Sequence, residues 1–231
     1  MLLNSIVEET LHYFYPNLCC HCNMKLLVKE SGLCLQCLYK LPKTNNFKYH
    51  NNSAEKLLSG RFPFHHVASF CLFNKEGILQ SIIHNLKYNQ NQRVGYLMGV
   101  LFGTDLIGSS FIAPIEVIVP VPLHPKKQNK RGYNQAETIA KGLSETTGIP
   151  ISTNQLIRAI NNPTQTKRSK TERWENVKGI FDVSNPEVFQ DKHILLVDDV
   201  ITTGSTLEAC AIALLQCNNI TISIATIGVS L

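Results

Sequence analysis

The amino-acid sequence predicts an α/β domain built on a mostly parallel sheet, with a small cysteine-rich module before it. Three observations lead there. From Val67 onward, β-branched runs of strand length alternate with amphipathic stretches of helical length. Five of the eight cysteines crowd between positions 19 and 37. Two adjacent acids, Asp198 and Asp199, stand where an apolar strand gives way to a bend of hydroxyls and glycine.

The chain has 231 residues, 44% of them hydrophobic and 17% charged, enough for one packed core plus a small accessory module. That composition excludes disorder as the main state. The net charge of +5 is unevenly spread. Val121 to Glu175 carries ten Lys or Arg against four Glu, whereas Asn176 to Leu231 carries two Lys against six acids. A basic central segment points to a polyanion partner, either a small phosphorylated ligand or nucleic acid. The longest uncharged stretch, Ala209 to Leu231, contains Gln216, Asn218 and Asn219 and reads as a helix followed by a strand, not a membrane span. Met1 to Val7 has no basic flank and runs into Glu8 and Glu9, so no export signal is expected and the chain reads as cytoplasmic.

Taken in order, Ile6, Leu11 and Phe14 form the apolar side of a short helix. Next come Cys19-Cys20-His21-Cys22 and Cys34-Leu35-Gln36-Cys37, two C-x-x-C pairs eleven residues apart. Without an export signal a disulfide framework is not expected, and this spacing suits a zinc ribbon or knuckle. Cys19, Cys22, Cys34 and Cys37 are the expected ligands of a structural zinc, with Cys20 a spectator and His21 a substitute ligand. A plain cluster of buried thiols is the other reading of the same residues. Four protein ligands would leave no open position, so no catalysis is expected there. Thr44 to Ser59, rich in Asn, Lys and Ser, reads as a linker. Cys71, Cys210 and Cys217 sit in apolar segments and read as core.

The expected strands are Val67–Phe73, Val117–Pro120, Leu156–Ile160, His193–Asp198 and Ile220–Ile227. The expected helices are Ile78–Tyr88, Val94–Leu106, Gln135–Thr146 and Ser205–Leu215. In the last helix Leu207, Cys210, Ala211, Leu214 and Leu215 recur at three- and four-residue spacing and make the core stripe. In open parallel sheets ligands bind beyond the carboxyl ends of the strands, so the loops there are the places to search for chemistry.

Three loops stand out. Ile194 to Val197 form a buried strand, Asp198 and Asp199 follow, and Thr202-Thr203-Gly204-Ser205-Thr206 then enter a helix. Small residues with inward backbone N–H groups at a helix start suit a phosphate dianion. Two carboxylates repel that phosphate, so they belong beside a sugar diol or a divalent cation. An ordinary helix N-cap is the plainer reading. The second loop, Val121-Pro122-Leu123-His124-Pro125, is stiffened by proline and leads to Lys126, Lys127, Lys130 and Arg131, a basic loop able to neutralise pyrophosphate or simply to be solvated. The third, Asn161 to Asn176, is long, polar and basic, in the manner of a lid.

The string from Ile194 to Thr206 resembles the phosphoribosyl pyrophosphate signature of type I phosphoribosyltransferases. That resemblance implies ribose binding by Asp198 and Asp199 and 5-phosphate binding by Thr202, Thr203, Gly204, Ser205 and Thr206. With the cysteine module, His84-Asn85-Leu86-Lys87-Tyr88, Arg131-Gly132-Tyr133-Asn134-Gln135-Ala136-Glu137 and the Pro163, Gln165, Arg173, Asn176 pattern, nearly the whole chain resembles the ComF family of competence-associated proteins. The resemblance implies a fold of the type I phosphoribosyltransferase kind. It divides the chain into a zinc module at 1–43, a linker and start of a hood at 44–66, and a phosphoribosyltransferase-like domain at 67–231. It implies phosphoribosyl pyrophosphate as ligand and a role in DNA uptake during natural transformation; with Mg²⁺ on that ligand, Arg131 of the basic loop would face the pyrophosphate, and Lys87 and Arg173 read either as pyrophosphate or lid contacts or as surface charges.

Two activities remain open at this point. One is a phosphoribosyltransferase, with Asp198 and Asp199 orienting the sugar and an acceptor the sequence does not name. The other is a non-catalytic single-stranded DNA-binding or adaptor protein working with other DNA-uptake proteins, with Tyr133 and Trp174 as stacking surfaces. The resemblance extends to amidophosphoribosyltransferase, but glutamine hydrolysis there needs a separate domain with an N-terminal cysteine. A chain beginning Met1-Leu2 is not expected to have that activity.

Overall fold

The computed structural model describes residues 16–27, 30–158 and 180–231. Its centre is a four-stranded parallel sheet in the order β1-β6-β5-β2, formed by β1 (His66–Leu72), β2 (Val117–Pro120), β5 (His193–Ile201) and β6 (Thr221–Val229). Alternation along β5 divides the core. Leu195 and Val197 join the apolar cluster under α3 (Ile78–Tyr88), α4 (Gln92–Leu106) and α6 (Gln135–Thr147), while Ile194 and Leu196 join the one under α7 (Ser205–Leu214). Among the described residues no helix is long and apolar enough to cross a membrane.

Helices α4 and α6 touch through glycine. A Cβ on Gly99 would lie 2.1 Å from the Ile139 carbonyl oxygen, and one on Gly142 would lie 2.2 Å from that of Tyr96. Any side chain at either position would push the helices apart.

The main expected elements are present, with four differences. The Leu156–Ile160 strand appears as β3 (Leu156–Arg158), which is antiparallel to β4 (Phe181–Val183) and off the main sheet. Leu156, Phe181 and Val183 pack with α7 residues instead, and residues 159 and 160 lie outside the described set. Strand β5 continues three residues beyond Asp198, because β6 keeps pairing with it as far as Ile201↔Val229. The basic loop after Pro125 is a helix, α5 (Pro125–Arg131), started by the His124 ring accepting from Lys126 N at 3.1 Å and ended by Gly132 at φ 79°.

The fourth difference is the stretch expected as a linker. It forms a 3₁₀ turn at Asn46–Lys48 and helix α2 (Ser53–Leu58), with Asn46, Asn52 and Glu55 buried. Their polar groups cover the free edge of β1: Ser69 N donates to Asn46 Oδ1 at 2.9 Å, Asn52 Nδ2 donates to Val67 O at 2.9 Å, and Val67 N donates to Glu55 Oε1 at 3.3 Å.

The cysteine segment shares the core of the α/β domain. Cys19, Leu26, Leu33, Cys34 and Cys37 belong to the same buried cluster as Ile82, Leu86 and Val94. Leu18 bridges Lys25 in an antiparallel turn, and Cys34 opens α1 (Leu35–Tyr39). The short helix expected around Ile6, Leu11 and Phe14 lies outside the described residues.

Candidate functional site

The acid pair sits where the sheet opens. Strand β2 ends its pairing at Pro120↔Val197, and Val121 N makes a last hydrogen bond to Val197 O at 2.8 Å. Beyond that point β5 has β6 on one side only, so Asp198 and Asp199 lie at the carboxyl end of the sheet, where open parallel sheets bind their ligands. As neighbours on a strand they point to opposite faces. Asp199 Oδ2 meets Lys87 Nζ of α3 at 2.7 Å, while Asp198 lies close enough to Cys210 of α7 for its charge to help burial push that thiol well up. Burial, then the Asp199 charge, raises the Asp198 carboxyl to about 7.

After β5 the chain turns through Thr202 and Thr203, both exposed, to Gly204 at φ 73°, the N-cap of α7. A left-handed backbone favours glycine here, and a Cβ would also strike Leu58 Cδ2 at 2.3 Å. Thr203 Oγ1 and Ser205 Oγ lie 3.2 Å apart, and Ser205 and Thr206 are exposed at the start of the helix. The bend thus presents hydroxyls and the first turn of a helix to solvent, with Ser205 N donating to Thr203 Oγ1 at 3.5 Å.

The last turn of α3 links the acid pair to the rest of the site. Asn85 Nδ2 donates to Cys20 O at 3.2 Å, the Leu86 carbonyl accepts from Tyr133 OH, Lys87 holds Asp199, and Tyr88 stacks under the Arg131 guanidinium at 5.9 Å. Arg131 in turn donates to Gln135 Oε1 at 2.8 Å, and Asn134 Nδ2 donates to Val121 O at 3.0 Å. A cavity of about 200 Å³ lies among Lys87, Tyr88, Gln90, Lys127, Lys130 and Arg131. Lys87 therefore belongs both to the acid pair and to a cationic pocket beside it.

Of the residues singled out from the sequence, Asp198, Asp199, Lys87 and the 202–206 bend share the carboxyl end of the sheet, and Arg131 lines the adjoining cavity. Arg173 and the 161–176 loop lie outside the described residues. Arg61 was not expected. Its guanidinium stands 3.4 Å from Glu208 Oε2 in the first turn of α7 and 3.6 Å from where a Gly204 Cβ would be. It falls in the stretch whose composition reads as linker and hood, and no local pattern marks it.

The four expected zinc ligands are together. The sulfurs of Cys19, Cys22, Cys34 and Cys37 lie within 4.8 Å of one another, with Cys22 and Cys34 at 3.6 Å. Tetrahedral zinc–sulfur bonds of about 2.3 Å place sulfurs roughly 3.8 Å apart, so the four could hold a zinc ion. Burial raises the Cys19 thiol, but the backbone N–H groups of Cys22, Cys34 and His21 outweigh it and bring it to about 6. Burial pushes Cys20 up to about 12, and Cys20 lies outside the four-sulfur group, as expected of a spectator. His21, read as a substitute ligand, is not among the residues whose donor atoms gather there, and its Nδ1 meets Ser81 Oγ at 3.0 Å.

A family profile described as "Phosphoribosyl transferase domain" matches residues 117–227. Competence protein F of Haemophilus influenzae is 31% identical over 212 residues, covering 84% of this chain and 89% of that protein. DNA utilization protein YhgH of Salmonella typhimurium is 25% identical over 212 residues, covering 87% and 92%. A solved glutamine phosphoribosylpyrophosphate amidotransferase from B. subtilis superposes with a TM-score of 0.43 at 20% identity, over 62% of this chain and 30% of that one, a likeness too low to carry an argument. The identity to competence protein F along nearly the full length of both proteins, together with the phosphoribosyltransferase-type domain at 117–227, establishes that this chain belongs to the ComF family of competence proteins.

Proposed function

We propose that this protein binds phosphoribosyl pyrophosphate with Mg²⁺ at the carboxyl end of its sheet and acts with it in DNA uptake. The observation that carries this reading is the junction of three differently charged features at one end of the sheet: the acid pair, the hydroxyl-rich bend and the cation-lined cavity. Each suits one part of the ligand. Asp198 and Asp199 accept hydrogen bonds from the ribose hydroxyls. Thr202 to Thr206 receive the 5-phosphate on backbone N–H and hydroxyl donors. Lys87 and Arg131 face the pyrophosphate, a role Arg173 shares in this proposal.

Mg²⁺ on the pyrophosphate neutralises leaving-group charge. In the transferase form of the proposal, the bond from the anomeric carbon to pyrophosphate breaks as an acceptor nucleophile closes on that carbon. The side chains' part is electrostatic: cations steady the departing pyrophosphate while the acids hold the sugar in place. The structural zinc in the four-cysteine site would hold the module against α3, where Asn85 ties it to the turn carrying Lys87.

Single-stranded DNA is a second reading: Tyr133, expected as a stacking surface, is buried with its OH on Leu86 O, and Trp174 lies outside the described residues, but an exposed Tyr88 ring stands beside Lys127, Lys130 and Arg131. Calorimetry separates the two. Phosphoribosyl pyrophosphate with Mg²⁺ should give a binding signal that Asp198→Asn plus Asp199→Asn abolishes. Persistence of that signal in the double variant would reject the proposed sugar site. A steep salt-dependent loss of DNA affinity on neutralising Lys126, Lys127 and Lys130, indifferent to the acid pair, would support the DNA reading.

A further inference from the structure

We propose that His50, Glu55 and His66 form a second metal site, taking a divalent transition ion of the zinc class through two imidazoles and a carboxylate. The site lies toward the amino end of the sheet, where His66 stands level with Leu195 of β5, three residues before Asp198. His66 is the first residue of β1, whereas Asp198 and Asp199 sit at the carboxyl ends of the same parallel sheet. It shares no residue with the proposed sugar site and does not depend on that reading.

The geometry is close to what coordination requires. His50 Nδ1 lies 3.5 Å from Glu55 Oε1, and His66 Nε2 lies 3.6 Å from the same oxygen. One ligand atom from each of the three residues falls within 4.8 Å of the other two. A tetrahedral ion with bonds of about 2.0–2.1 Å to nitrogen and oxygen places its ligands roughly 3.4 Å apart. Two edges of the triangle already have nearly that length. The imidazoles of His50 and His66 sit side by side, with centroids 4.2 Å apart and planes inclined by 31°.

The carboxylate is oriented in advance. Glu55 is buried, with Oε1 accepting from Val67 N at 3.3 Å and Oε2 accepting from Asn51 N. Such outer contacts are those that fix a ligand's direction in metal sites. His66 Nε2 also lies 3.3 Å from Tyr49 O, a hydrogen bond that metal loading would exchange for coordination. His50 is exposed, which gives the ion a path in, and three protein ligands leave a fourth position for water. The donor set, two nitrogens and one oxygen, differs from the four sulfurs of the cysteine site, so the two sites are spectroscopically distinct. Metal here would pin the 49–55 segment to the edge strand β1.

The test is metal content at equilibrium with low micromolar free Zn²⁺, using untagged full-length protein. Wild type should hold one equivalent more than His50→Ala, whose side chain is exposed and outside the core. His50→Gln should lose the same equivalent, which guards against an effect of the smaller side chain. With Co²⁺, the spectrum lost in either variant should lack thiolate-to-metal charge transfer. Equal metal content in wild type and both variants, or a lost spectrum carrying the thiolate band, would overturn the proposal.

Discussion

Lys87 Nζ and Asp199 Oδ2 stand 2.7 Å apart, so the last turn of α3 is fastened to the acid pair of β5. Both side chains are largely shielded, at 27% and 13% exposure, which makes this pair worth more than a surface ion pair. Lys87→Met should leave Asp199 uncompensated and lower stability at neutral pH by about 1–2 kcal/mol. Adding Asp199→Asn should restore part of that loss. Urea unfolding of the two single variants and the double variant measures the coupling, and simple additivity would mean that the pair does not interact.

Asp198 gives the protein a pH dependence of definite sign. In the folded chain its carboxyl keeps a proton up to about pH 7, against 3.8 ordinarily, because burial and the Asp199 charge disfavour ionisation. The folded state binds that proton more tightly than the unfolded one. The associated stability is complete below pH 3.8 and is lost as pH rises through 7. Asp198→Asn, neutral throughout, should match wild type near pH 4 and exceed it by an amount on the order of 4 kcal/mol above pH 8. Unfolding free energies measured across that range check the sign. An advantage that shrinks with rising pH contradicts it.

The cysteine cluster makes a spectroscopic prediction. Cobalt-substituted protein should display thiolate-to-metal charge transfer that Cys37→Ser weakens and Cys20→Ser leaves intact, since Cys20 lies outside the four-sulfur group. Equal weakening in both variants would remove the distinction between ligand and spectator.

Gly204 carries both a conformational and a steric demand. Its φ of 73° is unfavourable for alanine, and the added Cβ would meet Leu58 Cδ2 at 2.3 Å. Gly204→Ala should cost about 2–3 kcal/mol of stability, of which roughly 1 kcal/mol is backbone strain. A thermal unfolding midpoint equal to wild type would show that the bend tolerates another conformation.

Much of this site could be read before the fold was known. Asp198, Asp199 and the 202–206 bend are contiguous, so local residue order preserves their arrangement, and two C-x-x-C pairs identify their own cluster. Other features depend on contacts far apart in the chain. Helix α5 has no apolar stripe because it buries none of its residues, and only its boundaries at His124, Pro125 and Gly132 signal it. Asn46, Asn52 and Glu55 look like linker residues by composition, yet their polarity serves the edge of β1. Period and β-branching mark β3 as a strand but do not reveal that its partner is β4 rather than the main sheet. Arg61 beside Gly204, and His50 beside Glu55 and His66, are brought together only by the tertiary fold.

The most direct measurement is a crystal structure of the protein with phosphoribosyl pyrophosphate and Mg²⁺. The expected result is a 5-phosphate seated on the N–H and hydroxyl groups of residues 202–206, with the ribose hydroxyls on Asp198 and Asp199 and Lys87 turned from Asp199 toward the pyrophosphate. A ligand bound elsewhere, with the bend unfilled and the Lys87–Asp199 pair undisturbed, would contradict the account.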